Sequence, residues 1–264
     1  MRKRIFAAAA VILPLALCLS APGHASLVAE YDFNETSGTT AHPTVGSVNG
    51  TLQGDASFVS GGIEGNAVSM STAGAGLVNF GANLFPTGPF TEQIWVNTTS
   101  SGFPLAYHYG GVVAGFFLNI GGSGDGCGSA TGTVEFYVAY PCSGRSSINV
   151  ADGTWHQLVG VYDGTRTLVY VDGQFQTESS GGNPLNTPPA GTDFLAGGLT
   201  VSGTPASEYT GLLDDLRVYD TALSASDILA LYDAEISAVP EPTTLVLFGS
   251  AVGLLGFLRR RKTA

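Results

Sequence analysis

The chain has 264 residues with a net charge of −11, 12% charged residues, 44% hydrophobic residues and 37 glycines. Seven of its ten Lys and Arg lie in the first four or the last six residues, so Ser26 to Val239 holds only Arg145, Arg166 and Arg217 against twenty acidic residues. A lysine-free region this acidic repels nucleic acid and anionic membrane surfaces, which argues against both as its partners.

In chain order, Arg2-Lys3-Arg4 precede an apolar stretch from Ile5 to Leu19, and Gly23-His24-Ala25 puts small residues at the two positions a signal peptidase reads. Residues 1–25 are therefore expected to be a secretory signal peptide, with Ser26 the first mature residue. Cys18 has Leu17 where a lipidation site needs a small residue, so it reads as an ordinary residue of that peptide.

The mature region is long enough for one all-β domain. Short apolar or alternating runs bounded by Gly, Asn, Asp and Pro predict strands at Leu27 to Phe33, Gly76 to Phe80, Thr91 to Val96, Val112 to Ile120 and Val134 to Tyr140. Trp155 to Tyr162, Thr167 to Val171 and Gln174 to Glu178 then form a meander, with Asp163-Gly164 and Asp172-Gly173 supplying the positive φ of tight turns. Ser179 to Ala190 reads as a loop, and Leu212 to Tyr219 is the closing strand. One helix is expected after Ser224, capped by its hydroxyl with Asp227 three residues on, and presenting Ile228, Leu231 and Tyr232 on one face. Asp233 to Ala238 is read as a linker.

The tail has three parts: Val239-Pro240-Glu241-Pro242, an uncharged run from Thr243 to Leu258, and Arg259-Arg260-Arg261-Lys262. The prolines oppose helix, the apolar run can enter a bilayer, and the four cations stay on the inner side. At about 1.5 Å per residue the run is short for a bilayer core of about 30 Å. Order and spacing resemble the PEP-CTERM sorting signal. That resemblance implies recognition by an exosortase, cleavage near the motif, transient inner-membrane insertion through 243–258, and release or surface attachment of what precedes it. A permanent single-span anchor is the alternative.

Three further motifs, Leu27 to Glu35, Asp152-Gly153-Thr154-Trp155-His156 with the meander, and Gly211 to Tyr219 with Leu223-Ser224, resemble the LamG-like, concanavalin A-like jelly-roll domains. The resemblance spans about Leu27 to Tyr232. It implies an all-β sandwich of two antiparallel sheets over 26–232, with the short helix packed on it and a separate hydrophobic helix in the tail. It also implies a calcium ion near the edge, and carbohydrate or protein ligands.

Calcium takes several hard oxygens, and first and last strands are neighbours in such folds, so Asp32, Asn34, Asp214 and Asp215 are the candidate ligands. In one regular strand Asp214 and Asp215 face opposite ways, and Asp215 could instead pair with Arg217 on its own face. Tyr107, Tyr109, Tyr137 and Tyr140 are candidate sugar-stacking rings, with core packing the competing reading. Trp95 and Trp155 read as core, and His156 as a packing or hydrogen-bonding residue. Glu30-x-Asp32-x-x-Glu35 fits a glycoside-hydrolase pattern, but it stands at the start of the domain rather than mid-chain. Cys127 and Cys142, the only mature cysteines, are expected to form a disulfide in an exported protein.

The expectation is an exported envelope, surface or matrix protein, processed by signal peptidase and exosortase, whose domain binds polysaccharide or a matrix protein without catalysis. The alternatives are a structural matrix protein with no discrete ligand and, behind it, a glycoside hydrolase.

Overall fold

A computed structural model describes residues 26–238 apart from 83, 85–86, 111–114, 122–129, 139–144, 180 and 182–184. The first half of the fold carries β1 (Leu27–Tyr31), β2 (Thr40–Ala41), β3 (Gly50–Gln53), β4 (Ser57–Ser60), β5 (Asn66–Met70), β6 (Leu77–Asn79), β7 (Phe90–Asn97), β8 (Gly102–Gly110) and β9 (Gly115–Ile120). The second carries β10 (Val134–Val138), β11 (Trp155–Tyr162), β12 (Thr167–Val171), β13 (Gln174–Glu178), β14 (Leu195–Ala196), β15 (Gly198–Val201), β16 (Thr204–Ser207), β17 (Gly211–Tyr219) and α1 (Ala225–Ala238).

The strands form two sheets. One runs β13-β12-β11-β7-β17-β5-β4 with β1 also on β17; the other runs β10-β9-β8-β14-β6-β3-β2, with the β15–β16 hairpin beside β8. Alternation along each strand sends one face into the space between the sheets. Phe90, Ile94 and Val96 of β7 meet Phe116, Leu118 and Phe136 of the other sheet there. This is the all-β sandwich expected from the sequence. Asp172 (φ 51°) and Gly173 (φ 70°) make the tight β12–β13 turn. The β11–β12 link is longer, running from Asp163 to Arg166 between the paired Tyr162 and Thr167, and Asp163 Oδ1 orders it by accepting the N–H groups of Thr165 (2.8 Å) and Arg166 (2.7 Å).

Glu92 breaks the apolar alternation of β7. It stands opposite Gly160 of β11 and Val218 of β17, on the core face, with no exposed surface. A Cβ at Gly160 would lie 2.8 Å from the Phe136 ring, so this point in the core is already tight. Among the described residues neither carboxyl oxygen of Glu92 has a hydrogen-bond partner, and burial holds its pKa well above the ordinary range.

The outer face of the first sheet carries a second core. Val159, Val161, Tyr170 and Tyr219 are covered by Leu223 and Ile228. Ser224 caps α1 as expected: its N–H donates to Asp227 Oδ2 (3.2 Å) and its Oγ accepts the Asp227 N–H (3.3 Å). The expected linker over 233–238 is instead the end of this helix. Its anchor is Glu235, whose Oε1 accepts from Gln93 Nε2 (2.6 Å) and whose Oε2 accepts from Trp95 Nε1 (2.6 Å) and Gln157 Nε2 (2.9 Å). The Arg217 guanidinium closes the same socket. Trp95 is thus buried, as its apolar strand suggested, but beneath the helix, where the Tyr232 ring stacks on it with centroids 5.8 Å apart.

Candidate functional site

Two regions gather the residues singled out in the sequence. The first is a seam where β17 changes partners. Its N-terminal part pairs with β5 through Leu213↔Val68 and its C-terminal part with β1 through Leu216↔Tyr31, leaving Asp214 and Asp215 at the switch. The register against β7 also slips there, four residues from Asp214 to Arg217 facing three from Trp95 to Gln93, and Asp215 takes φ 43°. This bulge corrects the expectation of regular alternation at Asp214 and Asp215. The extra residue returns Leu216 and Val218 to the core and turns Arg217 outward. Arg217 forms its ion pairs with Glu30 (2.7 Å) and Glu235 rather than with Asp215. The spacing Leu213, Leu216, Val218 carried that signal in the sequence.

Asp214 fills the gap. Its Oδ2 accepts the N–H of Ile63 (2.8 Å) and Glu64 (3.5 Å), and its Oδ1 that of Asp215 (2.9 Å). A Cβ at Gly62 would lie 2.4 Å from Oδ2, so glycine is what lets the turn approach. Asn34 Oδ1 accepts the N–H of Asn66 (2.8 Å), and Asp32 Oδ1 takes the hydroxyl of Thr44 (2.8 Å). The four candidate ligands therefore border one seam, three of them hydrogen-bonded within the domain. Their chemistry fits a hard cation, but among the described residues no three Asp, Glu, His or Cys side chains converge to hold one. The crowding appears in the titration: burial and then Asp215 push Asp214 up to about 8. Burial, with Asp32, Glu64 and Glu30 adding to it against Arg217, pushes Asp215 up to about 6. Of the hydrolase-like acids, Glu30 Oε2 and Asp32 share Thr44, whereas Glu35 turns to the N–H of His42 (2.6 Å).

The second region is aromatic, and the second sheet divides its rings. Tyr107 and Phe116 face the core side and line a cleft of about 210 Å³ with Thr87, Leu185, Asn186 and Pro188. Tyr137 is on the opposite face, buried and stacked on Phe117 at 4.6 Å, with His108 edge-on to both. Tyr107 and Tyr137 thus do not form one platform, because Tyr107 pairs with Phe116 and Tyr137 with Phe117, adjacent residues of β9 that point opposite ways. The β8 backbone includes Tyr109, but its side chain, Tyr140, Cys127 and Cys142 lie outside the described residues. His156 keeps the hydrogen-bonding role, Nδ1 lying 2.8 Å from Asp172 Oδ2, and that bond foremost raises its pKa.

Residues 72–229, more than half of the chain, match the family model of the concanavalin A-like lectin/glucanases superfamily. The chain belongs to this superfamily. Residues 238–262 match the PEP-CTERM protein-sorting motif, which indicates an exported, exosortase-sorted protein. Residues 1–25, the motif Val239 to Pro242, the run 243–258 and the basic cluster Arg259 to Lys262 lie outside the described residues. Among the described residues no helix is long and apolar enough to cross a membrane.

The LamG-like domain is similar to domain 4 of AbnA, an extracellular GH43 arabinanase from Geobacillus stearothermophilus, solved with arabinotriose. The TM-score is 0.59 and the identity 17%, over 79% of this chain and 98% of that one. It is also similar to the binding domain of Paraclostridial Mosquitocidal Protein 1, with TM-score 0.56 and 10% identity over 79% of this chain and 52% of that one. A third likeness is Trypanosoma rangeli sialidase in complex with sialic acid, with TM-score 0.56 and 17% identity over 78% of this chain and 32% of that one. The domain thus spans nearly all of the arabinanase domain but about half of the toxin fragment and a third of the sialidase. At these identities the likeness is one of fold, shared by binding domains and enzymes. Among curated protein sequences none matches.

Proposed function

We propose that the LamG-like domain is a non-catalytic glycan-binding module, carried to the cell surface or extracellular matrix by its sorting signal, and that the cleft beside Tyr107 is its sugar site. The cleft carries the reading. It sets the half-buried Tyr107 and Leu185 beside the exposed polar groups of Asn186 and Thr187, over a floor of buried Phe116 and Pro188, a pairing of aromatic and polar groups that suits the C–H face and hydroxyls of a sugar ring. The neighbour solved with arabinotriose supports the same class of ligand. Charge narrows it to neutral sugars. Arg145 pairs with Glu135, Arg166 with Asp163 and Glu178, and Arg217 with Glu30 and Glu235, so every cation of the mature domain already has a carboxylate.

A glycan array probed with residues 26–238 tests this. Binding is expected to neutral oligosaccharides over uronic acid polymers, and Tyr107→Ala should weaken it by about tenfold, or roughly 1.4 kcal/mol. A blank array would favour a structural matrix protein. Release of reducing sugar that Glu30→Gln abolishes would favour a hydrolase.

Calcium belongs to the proposal as a stabiliser of the β1–β17 seam, held by Asp32 and Asp215. Both must be ionised to bind it, and Asp215 rises to about 6, so the effect should appear at pH 8 and fade below pH 6. Millimolar calcium is expected to raise the melting temperature at pH 8 relative to EDTA. Equal melting in both would remove the ion from this reading.

A further inference from the structure

We propose that Glu235 controls C-terminal processing: its socket sets how often the end of α1 leaves the sheet, and the sorting enzyme acts on that opened state. α1 runs to Ala238, and the sorting-motif match starts at residue 238, with Pro240 two residues on. No linker separates the folded domain from the motif. A protease takes its substrate extended, so residues upstream of the motif can enter its cleft only once the last turn has lifted away and unwound.

Glu235 is the last anchor before the motif. It is nearly fully buried and holds Gln93, Trp95, Gln157 and Arg217 through four contacts. Beyond it, Ile236 and Ser237 are exposed. Upstream, the next contact is the stacking of Tyr232 on Trp95. Opening the last turn therefore means withdrawing one carboxylate from four donors. When opening and closing are fast relative to cutting, the cutting rate follows the population of the open form. The same socket spares the domain: a cut at the motif leaves Glu235 upstream, so the exported product keeps its latch.

The test follows precursor half-life by pulse-chase of the full chain in an exosortase-bearing host, with intact mass of the product. Glu235→Ala should shorten the half-life by on the order of tenfold. A six-residue Gly-Ser insertion between Ala238 and Val239 should shorten it similarly while leaving the melting temperature of the exported domain unchanged, a separation that a purely structural role would not produce. Adding Glu235→Ala to the insertion should bring no further gain, since both relieve one constraint. Should Glu235→Ala fail to fold, the insertion decides alone. An unchanged half-life with the insertion, or a precursor that is never cut, overturns the proposal.

Discussion

Arg217→Ala is expected to destabilise the domain by about 3–5 kcal/mol, read as the shift in a urea or guanidinium unfolding curve. Its guanidinium joins three elements: the strand that carries it, β1 through Glu30, and α1 through Glu235. Side chains on this bridge are only 17%, 21% and 6% exposed, so solvent screens it weakly. Removing the cation leaves two carboxylates facing each other with little water, a large loss. Arg166 is the control. It pairs with Asp163 and Glu178 at 46% exposure, and Arg166→Ala should cost within about 1 kcal/mol. Equal losses for the two variants would show that the buried bridge does not hold β1 and the helix to β17.

Glu92→Met should act the other way. The substitution keeps an unbranched side chain of similar size in the core and removes two oxygens that have no hydrogen-bond partner among the described residues. Burial raises the Glu92 pKa well above its ordinary 4.5. Its contribution is therefore fully present below about pH 4.5 and is lost as the pH rises towards the folded-state value. Asp214 and Asp215 share that sign, losing stability as the pH rises from their ordinary 3.8 to about 8 and about 6. The native domain should thus weaken from pH 4.5 to 8. Glu92→Met is expected to be more stable by roughly 1–3 kcal/mol at pH 4.5, where only the two buried oxygens are removed, and by more at pH 8. A gain that does not grow with pH would mean that Glu92 is ionised and partnered in the fold.

Much of the fold was legible from local pattern. Period-two runs and Asp-Gly pairs placed most of the longer strands, and Ser224 with Asp227 placed the start of α1. The end of α1 is not legible in the sequence, because Asp233 to Ala238 has little apolar periodicity. Its reason to be helical is one carboxylate, and the donors it needs come from β7, β11 and β17, far away in the chain. At the seam, the pairing of the first and last strands sets Asp32, Asn34, Asp214 and Asp215 at neighbouring edges, yet the bulge that reassigns Arg217 departs from the alternation of a regular strand. Tyr107 and Tyr137 part for a simpler reason: both are strand residues near Phe-rich β9, and only the register decides which face each one shares.

By itself the sequence determined where this protein goes and what class of domain it carries. Both depend on patterns contiguous in the chain: a motif, an apolar run and a basic cluster at one end, and alternating strands with family motifs before it. The tertiary structure alone decided which polar side chains are buried together, because a carboxylate's environment depends on residues remote in sequence. Glu92, in the core without a hydrogen-bond partner among the described residues, and Glu235, held by four donors at the end of a helix, are the same residue type, and no local signal separates them. That difference makes one a cost to the fold and the other its latch beside the sorting signal.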